Sequence, residues 1–443
     1  MLVRFYLENF KSFNKKFEFN MLAGAYQKHP NHVFIPKNHD DLKILKNTAI
    51  YGANASGKTN FLHGLVTLQK IIANKPDNRD NLLPYFPFKM KAENVNVPTQ
   101  FEVDFIVDDL CFNYGLSYNE NTIISEWLYI LKKQGSEMVF ERKTDSAGKT
   151  ELKFIKGLFP SHEAKIRTDI YQKDLQPNQT FINEGYNKDI RHFNAVYKWF
   201  TTKLTFKAID GKFSKLPYLL SNNVTFSNNF NDILKQLDLG IDLVKVKETS
   251  FDDFFGSTQE KLKEQLEKSL ASKEVIDIGN GSEFLSAYRN EKGVPVIGNL
   301  ILLHKDGEGN LIDFEYNEES CGTQKLLDLI PGFIEVINTS STLLVDEIES
   351  SIHPILIKSI LKIFSGLNTK HDGQIIFTSH ESTLLDLDLF RQDEIWFCEK
   401  NDQKESCLIS LSDFKVRFDL DIRKGYLEGK FGGIPYVNIS KLI

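Results

Sequence analysis

Residues 50–62 read IYGANASGKTNFL: Gly52, four residues, then Gly57-Lys58-Thr59. A glycine loop of that spacing leaves backbone N–H groups free to wrap phosphate oxygens, and a helix opening behind it turns its positive end on the same oxygens. In that chemistry the Lys58 ammonium reaches the β- and γ-phosphates of a nucleotide and the Thr59 hydroxyl ligates Mg²⁺. Gly52, Asn54, Ser56, Gly57 and Asn60 make up the rest of the loop and its exit. A second stretch, TLLVDEIESS at residues 342–351, ends an apolar run on Asp346 and Glu347. A buried strand that presents a carboxylate at its C-terminal end puts it where ligands bind in open α/β sheets. Asp346 suits Mg²⁺, directly or through water, and Glu347 suits polarising an attacking water. The plain alternatives are a chance match in a glycine turn and a strand end with two solvated acids. The flanks weigh against both: DLKILKNTAIY (41–51) reads as an apolar strand, and NFLHGLVTLQKII (60–72) sets Phe61, Leu65, Leu68 and Ile72 on one helical face before Pro76. The order strand, glycine loop, helix is the context this motif requires, and the two motifs together point to ATP and Mg²⁺ and to nucleotide hydrolysis.

Three further stretches narrow the class. In NEESCGTQKLLDLI (317–330), Ser320, Gly322, Thr323 and Gln324 precede an apolar helix. A serine hydroxyl and free N–H groups at a helix start bind an anion, although the same pattern is also an ordinary helix cap. Its place ahead of the Asp346-Glu347 strand favours the first reading, and it resembles a degenerate form of the signature motif of ABC-type ATPases, with Cys321 and Thr323 where glycines are commoner. That resemblance implies an anion site acting in trans on the nucleotide of a second subunit. It also implies a D-loop in IESSIHP, with Ser351 and His353 as cross-subunit contacts, and a switch histidine at His380 in IIFTSHE, a residue that would otherwise read as structural. The opening YLENFKSF (6–13) resembles that of SMC and RecF-like ATPases, which implies that Lys11 and Ser12 line the nucleotide. A coupling glutamine is also implied; LLPYFPFKM (82–90) has none, and Gln100 is the remaining candidate.

Behind these motifs, the elements that must position them alternate between strand and helix. LVRFYLENFKSF and KKFEFNML read as early strands, and TQFEVDFIVDD, CFNYGLSYN and TIISEWLYILKK read as an antiparallel meander. From about Gly135 to Asn280 the texture turns mixed and mainly helical, in DIRHFNAVYKWFTTKL, NNFNDILKQLDLGI and STQEKLKEQLEKSLASK. A second alternating block (296–320) leads back to the signature and carboxylate stretches, and GQIIFTSHE, DEIWFCEK and SCLISLSDF add late strands. This divides the chain into an N-terminal ATPase lobe at 1–134, a helical insertion at 135–280 and a C-terminal ATPase lobe at 281–443.

The chain has 443 residues, 41% of them hydrophobic, enough for two or three lobes, and its net charge of −6 carries no global nucleic-acid-coating signal. No apolar run reaches the ~18–20 residues of a membrane span. Cys111, Cys321, Cys398 and Cys407 lack zinc spacing, and no leader pattern precedes them, which suggests a cytoplasmic protein. His29, His32 and His39 in QKHPNHVFIPKNHDD read as a solvated connection in preference to a metal site.

Taken together, AIYGANASGKTN, ESCGTQKLL, LLVDEIESSIHP and RQDEIWFCEK…SLSDFKVRFDLDIRKGYLEGKFGGIPYV resemble the RloA/AbiL-like AAA-type ATPases, relatives of the ATPase half of OLD nucleases and similar to the PARIS ATPase AriA. The resemblance implies an α/β fold: an ABC-type (SMC/RecF/OLD-like) P-loop ATPase head with an antiparallel β lobe and a mixed, mainly helical insertion. It implies a role in bacterial anti-phage defence by abortive infection, homodimers or oligomers of dimers, and a separate effector, an RloB-like or Toprim-type nuclease or toxin. About sixty residues follow His380, too few for a fused Toprim domain on ordinary domain sizes. The alternative is a RecF- or SMC-like DNA-repair or chromosome-maintenance ATPase, which would touch DNA with a strong salt dependence.

Overall fold

The structure is a computed structural model. It describes all residues except 77, 79, 157, 160, 210, 214, 257, 258, 279–283, 368–370, 415, 418, 419 and 435–443. Part of the tail motif, Pro435 to Val437 included, therefore lies outside the described residues, as do Ser257 and Thr258 of the charged helical stretch. The chain divides into two compact units, the first from residues 1–206, 339–348 and 368–443, the second from 207–338 and 349–367.

The first unit holds two sheets. One runs Leu204–Lys207, Thr342–Val345, Gln374–Ser379, Asn47–Tyr51, Ile395–Lys400, Ser406–Ser410 in spatial order. Its four central strands are parallel neighbours, and the last pairs antiparallel. Asn47–Tyr51 and Gln374–Ser379 are buried at every position, as strands covered on both faces must be. The other sheet is antiparallel, with seven strands in the order Thr150–Phe154, Ser136–Thr144, Ile123–Leu131, Leu110–Tyr118, Thr99–Val107, Leu2–Glu8, Phe17–Asn20. The helix Lys58–Ala73 buries Phe61, Leu62, Leu65, Leu68, Ile71 and Ile72 in their shared core. Phe61 meets Phe5 edge-on at 5.7 Å and lies 4.9 Å from Phe19, which in turn packs 5.0 Å from Trp396 of the parallel sheet. The Gln374 side chain adds a polar stitch: it accepts from Leu2 N–H (2.6 Å) and donates to the carbonyls of Leu2 and Leu45 (both 2.9 Å).

The meander runs further than its hydropathy announces. Ser136–Thr144 and Thr150–Phe154 continue it, and the inward positions of the first of these include Arg142 and Thr144, so no apolar alternation is visible. Arg142 and Glu126 are fully buried as a pair, 3.5 Å apart. Glu126 also accepts from Tyr114 O–H (3.0 Å) and from Phe181 and Ile182 N–H (2.7 and 3.2 Å), at the start of the helix Phe181–Asn187. Arg142 donates to the carbonyls of Gln179 (2.6 Å) and Gln176 (3.2 Å). Burial pushes the Glu126 carboxyl up, opposed by the guanidinium beside it.

The connection that carries His29, His32 and His39 is not solvated throughout. His32 is buried, with Nδ1 3.0 Å from Oε1 of the fully buried Glu394, and stacks on His29 at 4.8 Å. The apolar neighbours Val33 and Phe34 pair with Ile44–Leu45 and draw the segment inward.

The second unit is built on an antiparallel sheet, Leu243–Ser250, Pro295–Lys305, Leu285–Arg289, Val275–Asp277, with Leu311–Glu315 also paired to Pro295–Lys305. It carries the helices Cys321–Thr339 and Pro354–Leu367, joined by a Phe333–Phe364 contact at 5.4 Å. Among the described residues no helix is long and apolar enough to cross a membrane.

Candidate functional site

In the first unit the strand Asn47–Tyr51 runs straight into the glycine loop, and the helix Lys58–Ala73 opens at Lys58 with Gly57 as its cap. Two loop positions admit only glycine. A Cβ on Gly52 would collide with the Cys398 carbonyl oxygen. A Cβ on Gly57, at φ 121°, would collide with the Ser406 side chain and lie 2.9 Å from Ser12 Oγ. Ala55 takes a left-handed φ of 62° between them. The Lys58 ammonium is folded back on its own loop, donating to the carbonyls of Gly52 (2.6 Å) and Ala53 (3.2 Å). Asn54 is exposed on the outer turn, while Ser56 is buried and its carbonyl accepts from Ser406 O–H at 2.5 Å.

The carboxylate stretch meets this loop. Asp346, buried, accepts on Oδ1 from Thr59 O–H (3.2 Å) and from Thr378 O–H (2.7 Å). The same Thr378 oxygen accepts from Glu347 N–H (2.8 Å), so one hydroxyl fixes both acidic residues. Glu347 takes a left-handed φ of 48° and is half-buried. A non-glycine residue in that region costs roughly 1–2 kcal/mol, which its fixed neighbours offset. His380 follows the last residue of the strand Gln374–Ser379 and is exposed.

The opening residues line the far side of the loop. Asn60 donates from Nδ2 to Ser12 Oγ (2.9 Å), and Ser406 N–H donates to the Ser12 carbonyl (2.7 Å). Lys11, at φ 49°, directs its ammonium to His63 Nδ1 at 2.6 Å, one turn into the same helix, and lies over the rings of Phe10 and Phe86 (5.7 and 5.6 Å). Burial pushes the Lys11 ammonium down, helped by Lys70, and burial followed by the Lys11 charge pushes the His63 imidazole down. The glutamine-free segment 82–90 is tied to this turn: Lys11 N–H donates to the Phe86 carbonyl (2.7 Å), and Phe88 N–H donates to Asn9 Oδ1 (3.0 Å). Gln100 sits in the strand Thr99–Val107, paired with Ser117.

Behind Ser406, Glu405 binds the turn after Ser12, accepting from Asn14 Nδ2 (2.5 Å) and from Lys91 Nζ (2.8 Å). These bonds hold its carboxyl down at about 2, from an ordinary 4.5. The folded state therefore binds this proton less readily than the unfolded chain. The stability it contributes is full above pH 4.5 and drains away as pH falls towards 2. The difference in melting temperature between the parent and Glu405→Gln should accordingly be largest near pH 6 and shrink below pH 4.5; a difference independent of pH would refute the assignment.

The second unit brings together the remaining motif residues. Ser320 caps the helix Cys321–Thr339: Thr323 N–H donates to its Oγ (3.2 Å), and the two hydroxyls are 2.9 Å apart. Gln324 turns back, donating from Nε2 to the carbonyls of Tyr316 (3.0 Å) and Glu319 (2.9 Å). A Cβ on Gly322 would come within 2.8 Å of the Ser351 carbonyl oxygen, so the helix start and the stretch holding Ser351 and His353 abut. Ser320, Ser351 and His353 are exposed. The residues that the motifs did not point to are Thr378, Ser406 and His63. Thr378 had a faint signal, a buried hydroxyl one residue ahead of Ser379-His380; Ser406 and His63 had none. Among the described residues, no three His, Cys, Asp or Glu side chains group as a metal cluster, whereas Thr59 and Asp346 offer the sparse oxygen pair that Mg²⁺ uses alongside phosphates.

The family described as "AAA domain, putative AbiEii toxin, Type IV TA system" matches residues 48–386. No curated protein matches the chain. Solved structures similar to it include the SMC head domain from Thermotoga maritima, at 13% identity and a TM-score of 0.38, covering 92% of this chain and 98% of that one. Another is an SMC head bound to the C-terminal winged-helix domain of ScpA, at 14% and 0.42, covering 94% and 99%. A third is an SMC head with an extended coiled coil bound to the C-terminal domain of ScpA from Pyrococcus furiosus, at 14% and 0.37, covering 94% and 97%. At these scores the likeness adds nothing to the topology: a parallel sheet carrying a glycine loop and a carboxylate strand, joined to an antiparallel lobe, which is the α/β fold of a P-loop ATPase head.

Proposed function

The chain belongs to this AAA-domain family, and from that premise we propose that it is an ATP-hydrolysing switch subunit of an anti-phage, abortive-infection system, of the RloA/AbiL-like kind. The observation that carries the reading is the joint hold on Asp346: Thr59 from the glycine loop and Thr378 from the neighbouring strand bond to one carboxylate oxygen, with Glu347 next in line. ATP binds with its phosphates in the loop of Gly52, Asn54, Ser56 and Gly57, where Lys58 exchanges its two carbonyl partners for phosphate oxygens. Thr59 and Asp346 would hold Mg²⁺, which would screen phosphate charge. Glu347 takes a proton from the attacking water, and His380 faces the γ-phosphate. Asn60, Lys11 and Ser12 line the far side of the loop.

Two chains meet head to tail, so that Ser320, Gly322, Thr323 and Gln324 of one close on the nucleotide of the other, with Ser351 and His353 at the join. The exposure of Ser320, Ser351 and His353 on the second unit suits that use. The family's description names a putative toxin of a toxin–antitoxin system; in our reading the chain controls a separate effector, nuclease or toxin, released or engaged as the dimer opens and closes. The test is the purified chain with ATP and Mg²⁺, alone and with its chromosomal neighbours co-expressed. Turnover that Lys58→Ala abolishes, and an effector that co-purifies only in one nucleotide state, are expected. No turnover in any combination refutes the enzyme, and turnover that only DNA stimulates, with no protein effector, refutes the defence role.

A further inference from the structure

His63 is absent from every motif above, yet it touches the ammonium of Lys11, whose neighbour Ser12 flanks the glycine loop. A lysine ammonium only donates, so Nδ1, 2.6 Å from Lys11 Nζ, must be the acceptor, and the ring proton sits on Nε2. The imidazole is neutral in this contact. The Phe206 ring meets it edge-on at 5.8 Å and fixes its plane, while Lys11 and Lys70 are the cations and Asp346 the carboxylate whose charges it feels. The ammonium is thus held from two sides: by the imidazole, and by the faces of Phe10 and Phe86. It carries three N–H donors, of which His63 takes one, leaving two aimed elsewhere.

We propose that His63 is a positioning residue that pre-orients the Lys11 ammonium to receive a phosphate oxygen of the bound nucleotide; this rests on the ATP-site reading above. A free lysine side chain loses rotamer entropy when a ligand fixes it. Here the fold meets that cost in advance, so that phosphate gains a charge-assisted bond from an ammonium already in place. The neighbour Ser12 is fixed as well, by Asn60 and Ser406, so the turn that carries Lys11 cannot swing away.

The experiment is a double-mutant cycle on the whole chain with ATP and Mg²⁺, reading Kd by calorimetry and KM and kcat by phosphate release. Lys11→Met and His63→Leu should each weaken ATP binding about tenfold, in Kd and KM more than in kcat. The double variant should be no weaker than Lys11→Met alone, because His63 acts only through Lys11. His63→Asn, whose Oδ1 falls near the Nδ1 position, should restore affinity to within about threefold. Additive losses, a His63→Asn as weak as His63→Leu, or an effect confined to kcat would each overturn the proposal. A parent that binds ATP while the cycle is additive sinks only this inference, whereas a parent that binds no ATP sinks the nucleotide reading itself. Lys11→Met and His63→Asn keep the cycle informative should His63→Leu misfold.

Discussion

Glu347→Gln is expected to bind ATP and Mg²⁺ as the parent does while losing turnover by about a hundred- to ten-thousand-fold, the usual span for removing a general base. The amide keeps the volume and the backbone N–H bond to Thr378 that holds the residue at its left-handed φ, so the site's geometry survives. What disappears is a group able to take the proton from water. Binding then proceeds without release, and a species of twice the protomer mass should accumulate with ATP and vanish with ADP. Light scattering and single-turnover phosphate release measure the two effects separately. Parent-like hydrolysis would remove Glu347 from its role. Lost hydrolysis with no change in mass would leave the catalytic base in place and discard the head-to-tail dimer.

Arg142→Met is expected to have the largest effect on stability. The substitution leaves Glu126 fully buried without its cation and takes the guanidinium donors from the carbonyls of Gln179 and Gln176, the second of which keeps its bond from Gln179 N–H. Breaking one half of such a pair typically costs about 3–5 kcal/mol, roughly 5–8 °C in Tm for a unit of this size. The double change Glu126→Gln with Arg142→Met should recover a large part, because the charge left unpaired by the single change is gone. If Arg142→Met melts with the parent, the pair does not bind the helix Phe181–Asn187 to the meander.

What could be read from sequence was whatever local spacing decides. The apolar run before Gly52, the helical face of Phe61, Leu65 and Leu68, the carboxylates after the Thr342–Val345 strand and the cap at Ser320 all depend on neighbours a few residues away. Glycine at positions 52 and 57 was legible as a motif, but its cause was not, since Cys398 and Ser406 supply the crowding. The strand Ser136–Thr144 went unread because a buried cation such as Arg142 looks like a surface one until its partners at 126, 176 and 179 are known. His32 misled in the same way, as its partner Glu394 is 362 residues distant. Thr378 and His63 are ordinary residues whose meaning lies in their hydrogen bonds, Thr378 to Asp346 and Glu347 and His63 to Lys11.

The strand order of the parallel sheet has a consequence for how the protein is made. The strand Asn47–Tyr51 pairs with Gln374–Ser379 on one side and Ile395–Lys400 on the other. At ordinary translation rates roughly 20–60 s separate the emergence of the first from that of its earlier neighbour. Throughout that interval the nascent chain displays an apolar strand with both edges unpaired, the state most prone to aggregate or to recruit a chaperone. The glycine loop lacks two of its packing neighbours on the ribosome until Cys398 and Ser406 have left the exit tunnel. A fragment truncated before them, even with every residue of the loop present, should emerge as an ATP-blind polypeptide.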